Sequence, residues 1–266
     1  VYKNIMPVSN VSSLLSDQKV SHHKKRCFKP ERLTAPRDFS IPSFVANIIE
    51  DRSKENNQGN EQADTESVRP LIVEIGAGKG MHACLYAKKN PDHDLIAIER
   101  TQNKFTAFSS LVKSVNEEVV SLDNLLAVHA DAIPYCVHAL PAQSVDVFYL
   151  LYPNPEPKNP NQQWLNMPFF EFLLSRLKPN GKVVLASNIE EYVDNAYNQA
   201  INTWCLSTER SEVPIESKRT HFEIKYLARG ETCWELQMVK PEGYCTRFDN
   251  WNSSALEGKA NDREQD

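Results

Sequence analysis

The chain has 266 residues, with 30 lysines and arginines against 35 aspartates and glutamates, a formal net charge of −5. That length can bury one substantial core, and the acidic balance argues against a surface built throughout for polyanions. There is no apolar run of about 18 residues and no apolar N-terminal leader, so a cytoplasmic protein without a membrane partner is expected. Between residues 19 and 37 seven basic residues face one acid, Glu31, and residues 50–66 are polar and mostly acidic. The basic stretch reads either as an arm for an anionic partner or as a tail that its charge keeps solvated. A short helix is expected at 45–50. Residues 1–69 thus read as a partly disordered arm and linker, 70–241 as one domain, and 242–266 as a loose polar tail.

The apolar run Leu71-Ile72-Val73 predicts a strand, and it feeds Glu74-Ile75-Gly76-Ala77-Gly78-Lys79-Gly80. Three of the chain's eight glycines fall within five residues there. Glycine turns sharply and admits a ligand close to the backbone, so the cluster points to a cofactor cradle. The dinucleotide fingerprint fails because Met81 stands at its third glycine, and the phosphate loop fails because Val73 stands at its first. A helix follows over 81–89, then a strand at 95–98 that ends on the acid Glu99. This arrangement resembles the class I S-adenosylmethionine-dependent methyltransferases. The resemblance implies that Glu74, Gly76, Gly78 and Gly80 wrap the methionine end of S-adenosylmethionine and that Glu99 holds the ribose hydroxyls.

Strands and helices then alternate as in a parallel α/β sheet. A helix is expected at 101–115, a strand at 125–128 and a strand at 145–151. Next come a helix at 169–177 behind Pro168, a strand at 182–186 opened by Pro179-Asn180-Gly181, and a helix at 190–203. Phe222, Ile224 and Tyr226 alternate with polar residues, Arg229-Gly230 turns the chain, and Trp234, Leu236 and Met238 alternate again, which reads as a terminal hairpin. The class I resemblance implies a Rossmann-like α/β fold with a mostly parallel seven-stranded sheet closed by such an antiparallel pair. It also implies that Asp131, after the third strand, meets the adenine amino group; read alone, Asp131 serves equally well as a helix cap.

Tyr152-Pro153-Asn154-Pro155-Glu156-Pro157-Lys158, Ala186-Ser187-Asn188-Ile189-Glu190 and Thr220-His221-Phe222-Glu223 follow in order. With Phe169-Phe170-Glu171-Phe172-Leu173 they resemble the tRNA guanine-N7 methyltransferases over about residues 70–240. That family reads Phe-Pro-Asp-Pro-Trp-Pro-Lys after the fourth strand and Ala-Thr-Asp-Trp after the fifth, so Asn154 and Asn188 replace two aspartates and Glu156 a tryptophan. The resemblance implies tRNA as partner, Asn154 at the catalytic position, and Lys158, Asn188, Thr220, His221, Phe222 and Glu223 on the substrate side, helped by Lys218, Arg219 and the basic arm. The basic loop expected after Lys158 is replaced by Asn159-Pro160-Asn161-Gln162-Gln163-Trp164. A slower or redirected enzyme would follow: Asn154 could instead accept a hydrogen bond from an amino group of another substrate, or the protein could bind S-adenosylmethionine without turnover. Six scattered cysteines without a Cys-x-x-Cys pair, and no cluster with ligand spacing, predict neither disulfides nor a metal site. Nothing in the sequence sets the oligomeric state.

Overall fold

The computed structural model describes residues 26–57, 69–118 and 121–256. Seven strands form one sheet in the order β3-β2-β1-β4-β5-β7-β6: β1 (Leu71–Ile75), β2 (Asp94–Glu99), β3 (Leu125–His129), β4 (Val145–Leu151), β5 (Leu177–Ser187), β6 (Ser207–Glu212) and β7 (Trp234–Val239). β1 to β5 pair in parallel, and β7 runs antiparallel between β5 and β6. The helices are α1 (Ser43–Asn57), α2 (Met81–Lys89), α3 (Gln102–Glu118), α4 (Ala132–Ala139), α5 (Phe169–Arg176), α6 (Glu190–Asn202) and α7 (His221–Leu227).

Strand alternation sends side chains to the two faces of the sheet. Leu71, Val73, Ile96 and Ile98 join the core shared with α1, α4, α5 and α6, whereas Ile72, Leu95 and Ala97 join Ala83, Cys84 and Phe108 of α2 and α3. β1 and β2 are buried along their whole length, as central parallel strands covered on both faces must be. Among the described residues no helix is long and apolar enough to cross a membrane.

Three expectations are corrected. The hairpin exists, but its first strand is the polar Ser207–Glu212, while Phe222, Ile224 and Tyr226 lie in α7. Thr220 caps that helix by accepting from the Glu223 backbone N–H at 3.0 Å, a Thr-x-x-Glu start that outweighs a three-residue alternation. Pro179-Asn180-Gly181 lies inside β5: pairing jumps from Val145↔Leu177 to Val147↔Lys182, and Asn180 takes φ 61° while its N–H donates to the Lys240 carbonyl. The turn signal therefore marks a bulge that keeps both ends of the strand paired.

The tail is not loose over 242–256. Phe248 and Leu256 are buried, and fully buried Arg176 donates to the carbonyls of Phe248 and Trp251. Burial lowers the Arg176 guanidinium to about 9; its Nε donates to the Ser175 hydroxyl and a terminal nitrogen to the Leu140 carbonyl as well. Within residues 1–69, the described segment 26–57 packs on the domain. Phe28 packs edge-on to Phe169, and α1 extends through the acidic stretch to Asn57, with Arg52 donating to the carbonyls of Ala142 and Gln143. Residues 1–25, 58–68 and 257–266, which include part of the basic arm, lie outside the described residues.

Candidate methyltransferase site

A cavity of about 960 Å3 opens at the carboxyl ends of β1, β2, β4 and β5. The strand order reverses between β1 and β4, which is where open α/β sheets bind ligands. Its first half is built by the glycine loop. Gly76 and Ala77 donate their N–H groups to the Ile98 carbonyl at 2.8 and 2.9 Å, tying the loop to β2. Gly76 (φ 81°) and Gly78 (φ 60°) line the cavity with open space where a Cβ would stand. Gly80 (φ 80°) does not line it. A Cβ there would lie 1.9 Å from the Phe108 ring, so Gly80 lets α2 close on α3.

Glu99 ends β2 with 5% of its surface exposed and aims its carboxylate into the cavity wall. One oxygen accepts the Gly78 N–H at 2.8 Å and the other the Thr101 N–H at 2.6 Å. Each carboxylate oxygen keeps a further acceptor site, so the group is oriented without being used up. Asp131 lines the same wall and caps α4, Oδ1 accepting the Ile133 N–H at 2.9 Å. Glu74 sits at the floor, 3.0 Å from His82 Nδ1.

The second half comes from the loop after β4, the end of β5 and the start of α7. Tyr152 takes φ 52° immediately before Pro153, a strained position. It is held at both ends: its N–H donates to the Ala186 carbonyl at 2.7 Å and its hydroxyl to Glu223 at 2.9 Å. Burial and the neighbouring Cys233 and Glu223 push the Tyr152 phenol far above its ordinary range, so it stays a donor. Gln163, buried, donates to the Pro155 carbonyl at 2.9 Å, and Asn159 N–H to that of Glu156 at 3.1 Å. The loop is thereby fixed from four directions.

Both asparagines face the cavity, and each donates to a carboxylate: Asn154 Nδ2 to Glu156 at 2.6 Å, and Asn188 Nδ2 to Glu231 at 2.7 Å. Thr220, His221 and Phe222 are at the rim. Phe222, 42% exposed, stacks on Tyr226 with centroids 6.0 Å apart. Glu223 is fully buried and does not line the cavity; Arg219, Ser217 and Tyr152 take up its carboxylate. Burial alone would raise its pKa, but the hydrogen bonds and charge of Arg219, with Ser217 and Tyr152, hold it below the ordinary value. Arg219 also pairs with Glu235 at 2.5 Å, so its charge is committed inside the domain. Lys158 is exposed outside the cavity wall, whereas Lys79, Arg100, Lys104 and Lys225 line it.

A family model described as "Putative methyltransferase" matches residues 68–236, from the entry to β1 into β7. The tRNA (guanine-N(7)-)-methyltransferase of Nitrosospira multiformis is 30% identical over 179 residues, 65% of this chain and 76% of that protein. Proteins of the same name from Neisseria gonorrhoeae and Lactobacillus gasseri are 28% and 29% identical over 178 residues, covering 64% and 63% of this chain and 71% and 79% of their own lengths. The chain belongs to this methyltransferase family. The crystal structure of the 16S rRNA methyltransferase KamB superposes with a TM-score of 0.50 at 16% identity, over 69% of this chain and 96% of that one, and shares the fold. Within this family member, α1 and the ordered segment 242–256 lie outside the matched region, so Arg176, inside it, donates to carbonyls of Phe248 and Trp251 beyond it. Sequence reasoning missed Tyr152, Gln163 and Arg219 as the fixtures of the loop; Gln163 left no signal beyond its place in a run that lacks the expected basic residues.

Proposed function

We propose that this chain transfers a methyl group from S-adenosylmethionine to N7 of a guanine in tRNA. The observation that carries the reading is one continuous cavity whose first wall is the Gly76–Gly78 cradle with Glu99 and whose second is the 152–156 loop with Asn188. The residues fit the cofactor: two glycines open to the cavity admit it close to the backbone, Glu99 has acceptor capacity for a ribose diol, and Asp131 keeps a carboxylate oxygen for the adenine amino group. When bound, S-adenosylmethionine would supply an electrophilic sulfonium methyl group, which guanine N7 would take with a lone pair that is already free while the sulfur keeps the electrons of its former S–C bond. No proton has to leave, so no general base is required of the protein. Its residues instead hold the two partners in register, an effect worth up to roughly 7–11 kcal/mol in favourable cases. Lys79, Arg100, Lys104 and Lys225 offer phosphate contacts around the opening, with Lys158 further out. A tRNA substrate also favours a cytoplasmic location.

The alternative of an amino-group acceptor held by Asn154 is weaker than it looked in sequence. The amide is a loop staple, Nδ2 on the Glu156 carboxylate and Oδ1 3.5 Å from the Glu156 N–H. The test is incubation of the purified protein with labelled S-adenosylmethionine and unmodified tRNA, followed by mass spectrometry of the nucleosides. Appearance of 7-methylguanosine is the expected result. Bound S-adenosylmethionine with no methylated nucleoside would overturn the reading and leave a binding protein.

A further inference from the structure

We infer that Glu156 is the residue that receives the acceptor base, through the two neighbouring N–H donors of guanine's Watson–Crick edge. The inference rests on the guanine-N7 reading above. Glu156 is the one carboxylate that the loop after β4 contributes to the cavity wall. It is placed there at a conformational cost, φ 45° for a residue with a long side chain, and its carbonyl is pinned by Asn159 N–H. Asn154 Nδ2 fixes one carboxylate oxygen at 2.6 Å. Because an amide can donate where a second carboxylate would repel, the Asn154–Glu156 pair puts a single negative charge at this wall in a defined orientation.

A carboxylate binds two parallel N–H donors as a fork, and guanine offers that pair in N1–H and N2–H, on the edge opposite N7. Holding that edge leaves N7 facing the cofactor wall. The contact also strengthens as the reaction proceeds: positive charge entering the ring through N7 makes N1–H a better donor, so Glu156 favours the charged ring over the neutral one. No proton transfer is needed at any point.

Glu156→Gln removes the charge and one acceptor while keeping the shape. Expected are a fall of about 10–100-fold in kcat/KM for 7-methylguanosine formation, since charged hydrogen bonds become neutral ones, with the S-adenosylmethionine Kd from calorimetry unchanged. The second measurement needs no turnover. With inosine in place of the guanosine that the wild type methylates, the N2 amino group is gone; tRNA affinity of the wild type should drop several-fold, and that of Glu156→Gln should change by less than half as much. Asn154→Ala, which frees Glu156 without removing it, should lower kcat while leaving cofactor affinity intact. Equal inosine penalties in wild type and Glu156→Gln, or full activity of Glu156→Gln, would overturn the role of Glu156 and leave guanine methylation standing. A wild type that binds S-adenosylmethionine and yields no 7-methylguanosine would overturn both.

Discussion

Glu99 and Glu223 are both buried carboxylates beside the same cavity, yet one lines it and the other does not. Glu99 is oriented by two backbone N–H groups from its own neighbourhood, which leaves acceptor sites on the cavity side. Glu223 is saturated by its near neighbours Arg219 and Ser217 and by Tyr152, whose hydroxyl joins α7 to the loop after β4 across 71 residues of sequence. A carboxylate with spare lone pairs is a binding group, and one with none is a fixture. The half of the cavity proposed for the cofactor is thus held by local backbone geometry, and the half proposed for the acceptor by side-chain pairs, one of them spanning 71 residues.

The largest effect should come from breaking the fixture. Glu223→Ala strands Arg219 and the Tyr152 hydroxyl, and removing one partner of a buried pair costs about 3–5 kcal/mol, at the lower end here because Arg219 is 31% exposed. Urea unfolding at neutral pH would read it. Because the folded pKa of Glu223 lies below the ordinary 4.5, its contribution is fully present above that value and is lost as pH falls through the folded pKa. Wild type should therefore lose more stability than Glu223→Gln as the solution is taken below about pH 4.5; parallel curves would show that the pair contributes nothing.

Next in size, Gly80→Ala combines a left-handed backbone with a Cβ driven into Phe108, at about 2–4 kcal/mol of stability. Gly76→Ala carries only the backbone strain, about 1–2 kcal/mol, and should show its main effect on cofactor affinity. If the two variants lost the same stability, the division of the glycine loop into a packing and a binding glycine would fail.

The same division marks what could be read in sequence. β1, α2, β2 and the acid at its end follow from periodicity and glycine spacing, because their contacts are local. β6 was invisible because Ser207–Glu212 is polar on both faces and earns strand status only by pairing with β7. α7 was misread for want of weight on the Thr220 cap, although Phe222 and Tyr226 at i and i+4 already suited one helix face. Tyr244, Phe248 and Trp251 gave an aromatic spacing that could have flagged the ordered C-terminal segment; that it covers Arg176 could not be read, since the contact spans 72 to 75 residues.

Glu99→Ala tests the binding half directly. Losing a charged acceptor for the ribose should weaken S-adenosylmethionine by about 1.5–3 kcal/mol per hydrogen bond, measured by calorimetry, with a smaller loss of stability as Gly78 and Thr101 N–H groups turn to solvent. Unchanged affinity would remove Glu99 from the cofactor site.

The smallest effects sharpen the acceptor half. Judged by family resemblance alone, Asn154→Asp would restore an aspartate and keep or raise activity. The geometry reverses the sign, since an aspartate would stand at the 2.6 Å position from Glu156 and the two charges would push apart. kcat/KM should fall by about 1 kcal/mol's worth, roughly fivefold, and Glu156→Gln in that background should recover none of it if Glu156 itself holds the base. Asn188→Asp meets Glu231 in the same way, but Glu231 is 37% exposed and has Arg229 3.9 Å away. Its carboxylate can turn toward solvent and salt screens the rest, so the stability loss should stay below about 1 kcal/mol. That loss should vanish when Glu231→Gln is added, and a double-mutant cycle with no coupling would show that the second amide is placed for the substrate rather than for Glu231.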